Sequence, residues 1–395
     1  MKTNHVIIIG GGLAGLALSL FLKKAGIKST IYEAYPRLTN IGGGLTIAPN
    51  GMNVLAELGL KEKLLQKGGI VKEFAFINQQ GIYLAGIKID EKKYGQPSVP
   101  ITRSDLHEIL TNAAEEQGIT IYYQKRLKGI DDNGLTVTAH FEDGSVSEGD
   151  ILIGADGLRS ATRSITFPDA PSPSYTGFWG IGGFIDKSAT VSLTEKEKDV
   201  MMLTFGQNGF FGHGMINKDH LGWWCHIEGE EETTRNETFS MTDARIKEIL
   251  LEKYTGYHPR VIELITKTTS YTKTLIYDIP SLPVWHKGRV LLVGDAAHAV
   301  SPGSGLGASL AFEDTIYLAK LLRDEDDYAL AFQLFQQERK PRVEKVIATT
   351  RRGSNQKKAA NPLSAWIREK MMAFFISQFG AKSFNWQYGY KVNWK

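Results

Sequence analysis

HVIIIGGGLAGLALSLFLKKAGIKSTIYE, residues 5–33, decides the fold of this chain. A β-branched apolar run, Val6 to Ile9, enters a glycine turn, an Ala/Leu-rich helical segment follows, and a second short apolar run ends on an acid. This is a βαβ unit. Gly10, Gly12 and Gly15 keep the G-x-G-x-x-G spacing: the first allows the tight turn, the second lets backbone approach a pyrophosphate, and the third packs helix on strand. The helix start at Leu13 and Ala14 offers unpaired N–H groups and a positive dipole end to phosphates. Glu33 stands where an acid accepts hydrogen bonds from a ribose, so the unit predicts an adenine dinucleotide. The motif leaves FAD and NAD(P) both open.

At 395 residues the chain is long enough for two domains, or for one large domain with an inserted sheet. Its formal charge is +3, with Lys and Arg spread among Asp and Glu, which argues against nucleic acid as a partner. Cys225 is the only cysteine, so neither an internal disulfide nor a thiolate metal cluster can form, no metal site is expected, and a reducing compartment fits. Lys2 before an apolar run imitates a signal peptide, but the triple glycine and the acidic end of the unit argue against one. No stretch reaches the roughly 18 apolar residues of a membrane span. The expectation is a cytoplasmic protein without a span.

Outward from the first unit, Pro36 and Arg37 lie in a loop. The glycines of IGGGLTIAPNGMNVLAELGL, Gly43 and Gly44 among them, can bring backbone close to a flat ligand; the helix beginning around Asn50 ends near Gly59. Residues 72–88 read as a hairpin. A helix opens near Arg103, capped by Thr102 or Ser104, and stops at Gly118. Strands are expected at Thr120–Tyr123, Leu135–Phe141 and Val146–Ile153. From about Pro168 to Thr274 the texture is β-rich and aromatic, with a helical interruption at Thr242–Tyr254. The chain then returns to strand, glycine turn and long helix, and the rest is helical, including an apolar stretch over Asn361–Gln378 expected to pack on the body or on another chain.

The fold class is therefore α/β: a Rossmann-like binding domain with an inserted β-sheet substrate domain and C-terminal helices. The expected boundaries are 1–71, 99–167 and 276–325 for the three parts of the nucleotide domain, 72–98 and 168–275 for the hairpin and sheet of the substrate domain, and 326–395 for the C-terminal helices and tail.

Three signals occur in order: the glycine unit, IGADGLRSATR at 153–163, and GDAAHAVSPGSGLGASLAFED at 294–314. In this the chain resembles the single-component FAD aromatic hydroxylases typified by para-hydroxybenzoate hydroxylase, with the tetracycline-inactivating monooxygenases among their relatives. The resemblance covers nearly the whole length and implies FAD. It implies that Asp295, read as ending a buried strand, receives hydrogen bonds from the ribityl chain. The turn Pro302, Gly305, Leu306, Gly307 would face the pyrimidine edge of the flavin. It further implies that Asp156, with Arg159 and Arg163 near it, serves FAD and the nicotinamide cofactor, that Arg103 reaches the flavin cofactor, and that the Leu127 backbone touches the adenine. Two features depart from the family. Ala34 stands where many relatives carry a base after the ribose acid, leaving Arg37 or backbone for the phosphates. Gly305 to Ser309 keep the family's glycines but not its polar side chains.

The implied reaction uses O2 and NADH or NADPH as a transient electron donor, and hydroxylates an aromatic or polycyclic small molecule through a flavin hydroperoxide. No second G-x-G-x-x-G unit appears, so the nicotinamide cofactor is expected to bind over the flavin. No catalytic acid or base is assigned; His213, His226 and Tyr175 of the inserted sheet are the groups considered. A flavin-dependent oxidase or halogenase, or a noncatalytic flavoprotein with a partner-binding C-terminal helix, would share the first unit. Oligomeric state is not legible.

Overall fold

The computed structural model describes residues 3–37, 42–186, 188, 193–194, 197–230, 240–354 and 362–395. Its centre is a six-stranded sheet in the order His286–Lys287, Val290–Leu292, Ile151–Gly154, His5–Ile9, Lys28–Tyr32, Thr120–Tyr122. Only the edge strand His286–Lys287 is antiparallel. The chain leaves His5–Ile9 toward one edge and later returns on its other side, creating the crevice where ligands of such sheets bind. Side-chain alternation splits the first strand. Val6 and Ile8 enter the core under the helices, while Ile7 and Ile9 pack with Val137, Ala139 and Phe141 on the opposite face. The Leu13–Lys24 helix is apolar on most sides because it is wedged between Gly307–Asp324 and Arg103–Glu116.

The opposite face is covered by an antiparallel meander, Leu127–Asp132, Val137–Phe141 and Val146–Gly149. The single strand expected at Val146–Ile153 is two strands of different sheets. Asp150 divides them by accepting the Asn4 and His5 amides, each at 2.8 Å. The expected start at Leu135 shifts to Val137, because Asn133 Oδ1 accepts the Leu135 and Thr136 amides and closes a turn there. Leu127–Asp132 escaped the pattern reading because a bulge after Leu127 breaks its alternation.

The second sheet has seven strands, Thr272–Asp278, Ser174–Asp186, His220–Glu228, Gly209–Met215, Val200–Gly206, Glu73–Asn78 and Tyr83–Lys88. The early hairpin joins it by parallel pairing of Glu73–Asn78 with Val200–Gly206. One face is covered by the helices Asp243–Lys253 and Pro259–Lys267. The second helix was not anticipated: Pro259 is its first residue, a start signal rather than a break. The chain ends in the helices Tyr328–Ser354, Pro362–Phe375 and Ala381–Tyr388, after which Trp394 packs on Phe21 at 5.4 Å. Asn361 and the Trp366 side chain lie outside the described residues.

Candidate functional site

Gly10 turns with φ 108°, and a Cβ there would meet the Ala155 carbonyl oxygen at 2.5 Å; one on Gly15 would lie 2.0 Å from the Gly10 oxygen. Both positions exclude a side chain. Around Gly12, by contrast, nothing approaches within 4 Å of such an atom, so the space at the helix start is open. No side chain caps this helix, and the Leu13 and Ala14 amides find no acceptor among the described residues. Glu33 is held beside the turn, its Oε2 accepting the Gly11 amide at 2.7 Å and its Oε1 the Tyr35 amide at 2.9 Å.

The last motif converges on the same place. Gly294, at φ 56°, leaves room for only a small atom between the Ala14 Cβ at 3.3 Å and the Ala311 Cβ at 3.2 Å, which brings two helix starts together. Its amide donates to Asp314 Oδ2 at 2.9 Å, an oxygen that also pairs with His298 Nε2 at 2.6 Å. Arg339 Nε donates to Asp314 Oδ1 at 2.8 Å, while Arg339 and Arg342 both pair with Glu313, which also accepts from Asn50. Burial pushes the Asp314 carboxyl up, but His298 and Arg339 outweigh it and hold it below the ordinary range.

Asp295 does not end a buried strand. It is the exposed first residue of the short helix Asp295–His298 and makes no hydrogen bond among the described residues. The buried acids of this motif are Glu313 and Asp314, enclosed because both have cationic partners. Beyond Asp295, Pro302–Ser304 form a single 3-10 turn, Gly305 adopts φ 62°, and the Gly307–Asp324 helix opens without a side-chain cap.

The middle motif serves chiefly as a clasp. Asp156 spends its carboxylate on its own loop, accepting from Ser160 Oγ at 2.5 Å and from the Thr162 amide at 2.9 Å; burial raises its pKa against these bonds. Arg163, buried, donates to the Ala296 and Leu158 carbonyls at 2.8 and 2.6 Å and ties this loop to the last motif. Arg159 remains exposed over the Tyr277 ring. Arg103 opens its helix with its amide on the Gly43 oxygen at 3.0 Å, and its exposed guanidinium makes no ion pair among the described residues.

His107, one turn further, contacts the Gly11 oxygen at 2.8 Å, a link that sequence reasoning missed. Arg37, expected as one route to the phosphates, pairs with Glu115 at 3.0 Å, about 12 Å farther along that helix than His107 at 1.5 Å per residue. Arg37 is exposed, and Glu115 is its ionic partner among the described residues. Leu127 buries its side chain in the meander core, two residues after Lys125, whose amide bonds the Glu33 oxygen at 2.8 Å.

Across the crevice stands the second sheet. The face away from its two helices carries Phe184, Phe205, Phe210, Trp224 and His226. Phe184 marks this as the side facing the nucleotide domain, since added Cβ atoms on Gly222 and on Gly44 would each touch its ring at 3.4 Å. Gly212 lies opposite Trp224, and its missing side chain lets the indole lie flat on the sheet; a Cβ would come 2.4 Å from the ring. His226 sits 5.9 Å from Phe210, and burial lowers its pKa. Its imidazole makes no hydrogen bond among the described residues. His213 points the other way, into the helix-covered core, where burial depresses it to about 4. Tyr175 packs edge-on against Tyr277.

These residues fit FAD: an open helix start beside Glu33, a second uncapped helix start at Gly307, and the exposed Asp295 and Arg103, neither with an ionic partner among the described residues. A family profile described as FAD binding domain matches residues 3–350. Aurachin C monooxygenase/isomerase of Stigmatella aurantiaca is 30% identical over 95% of this chain and 96% of its own length. The 6-hydroxynicotinate 3-monooxygenase of Pseudomonas fluorescens is 29% identical over 87% of this chain and 90% of its own. Among solved structures, Klebsiella pneumoniae HpxO complexed with FAD and uric acid superposes with a TM-score of 0.84 at 23% identity, covering 98% of this chain and 96% of that one. No helix of the described residues is long and apolar enough to cross a membrane. From the glycine turn to the buried Asp314 anchor, the chain belongs to the FAD binding domain family, among the FAD-dependent aromatic monooxygenases.

Proposed function

We propose that this protein uses NADH or NADPH and O2 to hydroxylate a planar aromatic or polycyclic small molecule lying between the nucleotide crevice and the Trp224 face of the second sheet. In this reading the backbone of Gly10, Gly12, Leu13, Ala14 and Gly15 takes the pyrophosphate of FAD, Glu33 the adenosine ribose, and the Leu127 backbone the adenine. Asp295 takes the ribityl chain. Pro302, Gly305, Leu306 and Gly307 take the pyrimidine edge, where a helix start favours negative charge. Gly43, Gly44 and Arg103 flank the ring. Asp156 and Arg163 fix the turns that hold these groups. FAD, when bound, supplies electron transfer and oxygen activation.

The chain itself orients the substrate and excludes water. The observation that carries the reading is Trp224 laid flat over Gly212 beside the unpaired imidazole of His226. A flat indole stacks a flat ring. The lowered pKa keeps His226 neutral at pH 7, able to donate from one ring nitrogen and accept at the other, and so to fix a ring hydroxyl or N–H.

The test is NADH and NADPH consumption by the yellow holoprotein against a panel of aromatic compounds, with product masses. A product heavier by one oxygen is expected, and His226→Ala should raise KM by up to about tenfold, the worth of one neutral hydrogen bond. Protein that takes up no FAD, or consumption indifferent to every aromatic compound, overturns the reading.

A further inference from the structure

Three consecutive glycines, Gly10 to Gly12, give the turn before the first helix wide backbone freedom, so a turn that meets its ligand in one conformation has to be fixed from outside. Its amides show how the first part is held. The Gly10 amide donates to the Tyr32 oxygen at 2.9 Å, and the Gly11 amide donates to Glu33 Oε2 at 2.7 Å. The next peptide, joining Gly11 to Gly12, is held among the described residues by its carbonyl end alone: the Gly11 oxygen lies 2.8 Å from His107 Nε2. A carbonyl oxygen only accepts, so Nε2 carries the hydrogen. Nδ1 is then the acceptor, with Thr111 Oγ1 3.4 Å away, one turn further along the helix Arg103–Glu116.

The Gly11–Gly12 peptide is trans and planar, so its C=O and N–H point in opposite directions. Drawing the Gly11 oxygen toward His107 therefore turns the Gly12 N–H away from that helix. This amide has no acceptor among the described residues, and a Cβ on Gly12 would meet nothing within 4 Å. The same peptide turned over would present an oxygen to that open space and repel an anion there. Glu33 cannot prevent this, because it holds the preceding peptide; the grip on the second one is the imidazole of His107.

We propose that His107 is a positioning residue for FAD: by holding the Gly11 carbonyl it keeps the Gly12 N–H turned toward the pyrophosphate, without touching the cofactor itself. The proposal rests on the reading that the glycine turn takes the pyrophosphate, and Gly12→Ala tests that reading separately. Gly12 has φ −77° and ψ −172°, a conformation open to alanine, so the variant folds with its methyl standing where the phosphates would come. FAD-free protein is titrated with FAD by flavin fluorescence, and its melting temperature is recorded alongside. His107 is half-buried, and neither His107→Leu nor the shorter His107→Asn reaches the Gly11 oxygen with a donor. Both should weaken FAD by about three- to tenfold, the worth of one neutral hydrogen bond. His107→Gln, whose amide nitrogen can replace Nε2, should restore the affinity to within about twofold of the original. A role confined to packing one helix on another predicts a lower melting temperature with FAD affinity unchanged, and that result, or His107→Gln binding as weakly as His107→Leu, overturns the proposal. Gly12→Ala binding FAD normally would overturn the pyrophosphate reading and the proposal together, whereas weak binding by Gly12→Ala beside normal binding by His107→Leu overturns the proposal alone.

Discussion

Asp314 and Asp295 lie in one motif and have opposite environments. Asp314 is fully enclosed and holds the Gly294 amide, His298 and Arg339 together, whereas Asp295 stands exposed at the crevice. Replacing Asp314 with Asn keeps the shape but removes a charge from beside a completely buried guanidinium, a loss worth about 3–5 kcal/mol. Asp314→Asn should therefore lower the unfolding free energy of FAD-free protein, read from urea titration, by that amount and also weaken FAD, because the Gly294 turn loses its anchor. Asp295→Ala should weaken FAD at least about tenfold, for a lost charged hydrogen bond of 1.5–3 kcal/mol, and leave FAD-free stability unchanged. Melting and FAD titration of both variants decide between the roles. Asp314 was visible in the quoted motif but its role was not, since Arg339 lies 25 residues downstream on another helix.

At the scale of elements, strand periodicity located the inserted sheet but not its working face. Residues 210 and 211 are both Phe, and 223 and 224 both Trp, so alternation alone leaves either member of each pair inward. The helices Asp243–Lys253 and Pro259–Lys267 settle this by covering Phe211 and Trp223, which leaves Phe210 and Trp224 toward the crevice. The glycine opposite Trp224 then matters for the shape of the element. Gly212→Ala places a methyl within 2.4 Å of the indole and tips the ring off the sheet. The expected cost is about 1–3 kcal/mol of stability with a raised substrate KM and unchanged FAD affinity. Steady-state kinetics and FAD titration check it, and unchanged KM would remove Trp224 from the substrate face.

For the whole molecule, acid stability reports on burial in that covered face. His213 is fully buried and titrates near 4 instead of 6.5, so between those values the unfolded chain binds a proton that the folded one refuses. Stability is flat above pH 6.5 for this group and falls as pH drops toward 4, by about 3 kcal/mol in all. Urea midpoints against pH should show this fall, and His213→Asn should shallow it; an unchanged slope would mean that His213 is not buried neutral. The lowered pKa values of His5, His226 and His286 steepen the same limb.

By itself the sequence determined the βαβ unit and the division into a nucleotide sheet with an inserted sheet, because turn chemistry and hydrophobic period are local properties of consecutive residues; the family and its flavin followed from the resemblance that three ordered motifs carry. Only the tertiary structure decided which acids of the last motif are buried, which histidine faces the crevice, that Arg37 serves a surface pair, and that the C-terminal helix turns apolar residues outward. Each of these depends on a partner far along the chain. A period of two or of 3.6 says that an element has an apolar face, and long-range packing alone says what covers it.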